Sequence, residues 1–117
     1  MNDIILVEGL EICCVVGIHP HERLYPQKVV VDLDIAIPVV EHEDILNETV
    51  DYAHASEMVT QLFVEQQYET LEFAGQEIIS QMFKRWPVIC SIKCTMRKPN
   101  AVYAARNVGV VMYRERA

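Results

Sequence analysis

The stretch Gln27-Lys28-Val29-Val30-Val31-Asp32-Leu33-Asp34-Ile35-Ala36-Ile37-Pro38-Val39 alternates with a period of two. Val29, Val31, Leu33, Ile35 and Ile37 fall on one face, and Val30, Asp32, Asp34 and Ala36 on the other. Successive side chains of a strand point to opposite sides of its sheet, so the pattern predicts a strand with one buried and one wet face. A face left to water is a property of antiparallel sheets. Before this stretch, Asp3–Val16 is rich in Ile, Val, Leu and Cys and reads as a strand. The connection Gly17-Ile18-His19-Pro20-His21-Glu22-Arg23-Leu24-Tyr25-Pro26 is too long for a tight hairpin. Much later, Val88–Arg97 alternates again, with Val88, Cys90, Ile92, Cys94 and Met96 against Ser91, Lys93, Thr95 and Arg97. Val108–Tyr113 reads as a last strand.

Between the two strand pairs, a polar connection over Glu41–Val50 leads into two helical patterns. Asp51 is placed to cap the first, with Ala55, Met58, Val59, Leu62 and Phe63 at helical spacing. Thr70 is placed to cap the second, whose buried stripe is Leu71, Ala74, Ile78, Met82 with Ile79, Phe83 and Trp86; Pro87 stops it. The order ββ–αα–ββ predicts an α+β layer pair: a four-stranded antiparallel sheet with two helices on one face. The other face would carry Asp32 and Asp34 from one strand and Lys93 and Arg97 from another. Two readings fit it, ordinary solvation or a water-filled interior wall of a larger ring.

The 117 residues suit one domain, 1–117. Ten Lys+Arg against 17 Asp+Glu give a net charge of −7, which argues against nucleic acid and anionic membrane surfaces as partners. The chain is 51% apolar and 23% charged, which excludes disorder. So many apolar side chains in a small chain point to some facing a partner and not water. The longest apolar runs, Ile12–Ile18, Ile35–Val40 and Val108–Tyr113, fall short of the ~20 residues of a spanning helix. Asp3 and Glu8 stand where a secretory signal would carry Lys or Arg, so a cytoplasmic protein is expected. Cys13 and Cys14, adjacent on a strand, point to opposite faces, and Cys90 and Cys94 would lie about 13 Å apart along one. Buried, reduced thiols are therefore expected, without disulfides or a zinc site.

Four polar side chains stand at element ends: Glu22 in the first loop, Tyr52 opening the first helix, Glu72 in the first turn of the second, and Lys98 ending the third strand. Taken singly, each has a plain explanation. Glu72 is favoured by the helix dipole, Lys98 by solvation at a strand end, Glu22 as a loop charge and Tyr52 as a packed ring. His19 and His21 could share an ion, but zinc asks for at least three protein ligands, and His42 and His54 have no ligand-like spacing to them. No metal and no cofactor is expected. Gly9, Gly17, Gly75 and Gly109 never cluster into a phosphate loop, and no Ser nucleophile elbow is present.

Together these positions resemble the dihydroneopterin aldolase family of folate biosynthesis. The matching segments are Gly17-(four residues)-Glu22-(four residues)-Gln27, Val50-Asp51-Tyr52-Ala53, Thr70-Leu71-Glu72-Phe73-Ala74, and Lys98-Pro99-Asn100-Ala101 continuing through Ala105-Arg106-Asn107-Val108-Gly109-Val110. The resemblance implies a tunnelling fold, with subunits joining into a barrel, helices outside, two rings stacking into a homo-octamer, and sites between subunits. It implies retro-aldol cleavage of a small pterin, 7,8-dihydroneopterin, to 6-hydroxymethyl-7,8-dihydropterin and glycolaldehyde, with 2′-epimerase activity beside it. By the same resemblance Lys98 would be the acid/base group near N5 and the side-chain hydroxyls. Glu22 would orient Lys98 and hold the trihydroxypropyl chain. Tyr52, from the neighbouring subunit, would lie near the pterin and help reprotonate the intermediate. Glu72 would accept the two N–H groups of the pterin N2/N3 edge, and the backbone of Leu71, Val50 and Ile18 would line the pocket. His19 and His21 beside Glu22 are an unusual filling for that loop.

Three alternatives stay in view. A dihydroneopterin triphosphate 2′-epimerase shares the fold and a similar residue set, but a triphosphate asks for more Lys or Arg than this chain offers. A non-catalytic ring-forming subunit would not need all four polar residues. A zinc-dependent pterin enzyme of the same superfamily would need a third histidine ligand.

Overall fold

The computed structural model describes all of residues 1–117. Strands β1 (Asn2–Cys14), β2 (Gln27–Pro38), β3 (Ser91–Pro99) and β4 (Asn107–Glu115) pair antiparallel in that order across one sheet. Helices α2 (Tyr52–Gln66) and α3 (Leu71–Arg85) cover one face, and a short helix α1 (Pro20–Leu24) interrupts the first connection. The expected ββ–αα–ββ order is observed. Two short elements are added and strand ends move by one to three residues. The first connection holds α1, because Pro20 sits at the first helical position, where its missing N–H costs nothing. A single 3-10 turn, Leu46–Glu48, lies inside the polar connection. β3 begins at Ser91 and not Val88, because the chain turns after Pro87, with Ile89 N–H bonded to the Trp86 carbonyl.

The alternation of β2 translates directly into burial: Val29, Val31, Leu33 and Ile35 are fully buried and Ile37 nearly so. β1 shows no such continuous alternation, and its register explains why. Val7 pairs with Leu33 but Leu10 with Val31, so Glu8 and Gly9 together stand opposite Asp32 in a bulge. Gly9 has φ +67°, and the Asp32 carboxylate accepts its N–H at 2.7 Å. The bulge shifts the inward phase from Ile5 and Val7 before it to Leu10, Ile12 and Cys14 after it.

Both helices start at the predicted caps. Asp51 Oδ1 accepts the N–H of Ala53 and His54, and Thr70 Oγ1 accepts that of Phe73. Ala55, Val59 and Phe63 from α2, and Leu71, Ala74, Ile78, Ile79 and Met82 from α3, join the strand side chains in one core of 24 buried residues. Gly75 lets α3 approach the sheet closely, since a Cβ there would meet the side chains of Met96 and Met112.

On the opposite face Asp32 pairs with Arg97, and Asp34 stands in register with Lys93. The outer strands β1 and β4 expose Ile4, Leu6, Val111 and Tyr113 on this same face. All four thiols are free, but only Cys14 and Cys94 are buried, where desolvation pushes them up to about 11 and about 12; Cys90 is half-buried. Cys13 is exposed, because β1 is an edge strand and this side chain points away from the helices. No helix is long and apolar enough to cross a membrane.

Candidate active site

At the end of the sheet where β3 meets the first connection, a cavity of about 660 Å³ opens between α1, the N-terminus of α3, and the ends of β3 and β4. Ile18, Glu22, Leu71, Glu72 and Lys98 line it, so five of the seven residues singled out by sequence meet in one place. Val50 and Tyr52 do not line it. Val50 is buried, and Tyr52, the first residue of α2, is 65% exposed elsewhere on the surface.

Lys98 reaches the cavity through strand parity. It follows Ile92, Cys94 and Met96 on the helix-covered side of β3, and its Nζ lies 3.0 Å from Glu22 Oε2. Both side chains are largely withdrawn from water, 15% exposed for Lys98 and 10% for Glu22. Burial by itself would raise the Glu22 carboxyl. Hydrogen bonds from Gln27 Nε2, Lys98 Nζ and the His19 N–H, together with the lysine charge, outweigh it and hold the group down at about 2. Glu22 is therefore a carboxylate at any pH near neutral.

Gly17 and Gln27 complete this seat, and the sequence assigned neither a role beyond its place in a motif. Gln27 Nε2 bridges Glu22 Oε2 at 3.0 Å and the Val16 carbonyl at 2.8 Å. Its inward direction was readable, since it shares parity with Val29 and Val31 on β2. Gly17 has φ +126°, and a Cβ there would collide with the Glu22 carboxylate, so glycine is needed both for the backbone and for the space. His19 and His21 also line the cavity, with rings stacked 5.9 Å apart. On the far wall Thr70 caps α3, which sets Glu72 in its first turn, where the helix dipole favours a carboxylate. No group of three or more His, Cys, Asp or Glu side chains is arranged to hold a metal ion.

A lysine–carboxylate pair largely withdrawn from water at one end of an open cavity, with a second carboxylate across from it on an α+β scaffold, is an arrangement able to carry acid–base chemistry. The family model for dihydroneopterin aldolase, FolB, matches residues 5–113. A dihydroneopterin aldolase of Haemophilus influenzae is 27% identical over 115 residues, covering 96% of each chain. The crystal structure of a FolB protein from Vibrio cholerae superposes with a TM-score of 0.90 at 26% identity, covering 99% of both chains. That of Escherichia coli dihydroneopterin aldolase in complex with neopterin gives 0.84 at 24% identity, covering 96% of this chain and 98% of that one. The chain belongs to the dihydroneopterin aldolase family.

Proposed function

We propose that the protein cleaves 7,8-dihydroneopterin by a retro-aldol reaction, giving 6-hydroxymethyl-7,8-dihydropterin and glycolaldehyde, and interconverts the substrate with its 2′-epimer. The observation that carries this reading is the Lys98–Glu22 pair, 3.0 Å apart and largely buried at the cavity wall. Breaking the C1′–C2′ bond requires that the 2′-hydroxyl lose its proton as C2′ becomes a carbonyl. The bond electrons pass into the ring's own C6=N5 imine and give an enamine, so the substrate supplies its electron sink. Lys98 moves the protons at the hydroxyl and at N5, held in place by a carboxylate that stays ionised. Reprotonation at C1′ completes the hydroxymethyl product. Glu72 takes the two N–H groups of the pterin N2/N3 edge in a bidentate, charge-assisted pairing. The backbone of Ile18 and Leu71 lines the ring site.

Tyr52 belongs to this reading as a contribution from a neighbouring subunit, in which it assists the reprotonation. What supports it is its position: it lies off the cavity of its own chain and is exposed, whereas Val50, buried in the core, takes no part in it. The unpaired outer backbone of β1 and β4 supports subunits joining edge to edge into a ring; in this reading two rings form an octamer. We place the enzyme in the cytoplasm as one domain over 1–117. The test offers 7,8-dihydroneopterin and its triphosphate separately, each with chelator, and quantifies glycolaldehyde. Release from the free pterin is expected. None from it, with epimerisation of the triphosphate, would establish the epimerase instead.

A further inference from the structure

The loop that carries Glu22 is tied to the corner between α2 and α3 by a guanidinium and a backbone N–H. Arg23, half-buried, donates from a single terminal nitrogen to the Gly17 carbonyl at 3.1 Å and to the Tyr68 carbonyl at 3.2 Å. The Tyr68 carbonyl also accepts the Gly17 N–H at 3.0 Å, so both of its lone pairs are engaged by the site loop. Tyr68 is fixed at its other end as well. Its ring is buried edge-on against Phe63, and its hydroxyl donates to Glu77 at 2.6 Å. Two residues further on, Thr70 caps α3 and begins the turn that carries Glu72.

We propose that Arg23 is a positioning residue of the site, whose guanidinium locks α1 against the α2–α3 corner and thereby sets the Glu22 carboxylate against Lys98 and at a fixed span from Glu72. α1 has only five residues, too few to hold its own shape, so its geometry depends on such ties. The planar guanidinium fixes the directions of the two N–H bonds on that nitrogen, so each meets a carbonyl from a different segment, whereas lysine is shorter and its ammonium rotates freely. Removing the guanidinium leaves the Gly17 carbonyl without a donor and the Tyr68 carbonyl with the Gly17 N–H alone, and so loosens the loop that carries Glu22. The functional side of this inference rests on the acid–base roles proposed above; the geometric side does not.

The test follows the Glu22 carboxyl by 13C NMR in the substrate-free protein, alongside steady-state cleavage of 7,8-dihydroneopterin. In Arg23→Met the Glu22 titration is expected to rise by about one unit or more as its hydrogen bonds loosen. We expect kcat to fall at least about tenfold while KM changes less, since misplacement of reacting groups acts mainly on the chemical step. Arg23→Lys should show the same direction, and added guanidinium ion should restore part of kcat in Arg23→Ala. A Glu22 titration unchanged from the wild type, or an unchanged kcat in a folded variant, overturns the proposal. If Arg23→Met does not fold, Arg23→Lys decides by the same two measurements. A wild-type protein that releases no glycolaldehyde overturns the aldolase reading instead, and the NMR titration then decides the role of Arg23 alone.

Discussion

Arg97 and Lys98 are neighbours on β3, and each meets a carboxylate, but on opposite faces of the sheet. The Arg97–Asp32 pair lies on the face without helices, with side chains 41% and 25% exposed; those of the Lys98–Glu22 pair are 15% and 10% exposed. Asp32 is held low first by the Gly9 N–H and then by Arg97, so this pair pins the β1 bulge and with it the register of the edge strand. Glu22 is held low by a glutamine, a lysine and a backbone N–H that converge beside an open cavity. Similar charges one residue apart therefore do different work. The pair that water reaches fixes backbone geometry, and in the shielded pair the Glu22 carboxylate is kept ionised where a ligand can enter.

The largest test of this contrast is Lys98→Ala against Arg97→Ala. Loss of an acid–base group costs about 10²–10⁴-fold, so kcat of Lys98→Ala should fall about 10³-fold with pterin affinity nearly kept. Arg97→Ala should stay within about threefold, because it removes nothing from the reacting centre. Glycolaldehyde release and pterin fluorescence titration check both, and equal losses in the two variants would erase the distinction.

Next in size is acid stability. Glu22 moves from 4.5 to about 2 on folding. Its stabilisation is present above the unfolded value and lost as pH falls from about 5 to about 2, up to about 3 kcal/mol in all. Denaturant midpoints of the wild type should fall through that window, and those of Glu22→Gln should fall less. Asp32 contributes in the same direction.

Glu72→Ala should weaken pterin binding about 10- to 100-fold, the scale of a hydrogen-bonded charge worth about 1.5–3 kcal/mol. Its kcat at saturation should change less, which binding and saturation curves separate. The smallest effect belongs to the wet face. Arg97→Met should lower stability by about 1 kcal/mol or less, and the loss should shrink in high salt, as thermal melts at two ionic strengths would show.

Much of the fold was legible because its signals are local. The alternation of Val29 through Ile37, the caps Asp51 and Thr70, and the stop at Pro87 each act within a few residues. β1 was legible as a strand but not by face, because the bulge at Gly9 breaks its period; the lone glycine inside the strand was the signal for it, and the partner strand fixes its register. In the site, the resemblance marked Glu22, Glu72 and Lys98, and parity along β3 directs Lys98 to the helix side. Arg23 gave no signal, since its partners are two backbone carbonyls, one of them 45 residues away, and any residue type can supply a carbonyl.

The sequence by itself determined the element order, the buried face of each helix and of β2, and the family through four segments in register. The resemblance implied that Glu22 orients Lys98 and that Tyr52 serves another subunit; only the tertiary structure decided how Lys98 reaches Glu22 across 76 residues, and that Gly17 and Gln27 build the seat. Periodicity and capping are set by neighbours along the chain. The meeting of distant side chains is set by how the layers pack and where each strand ends, and no local pattern records that.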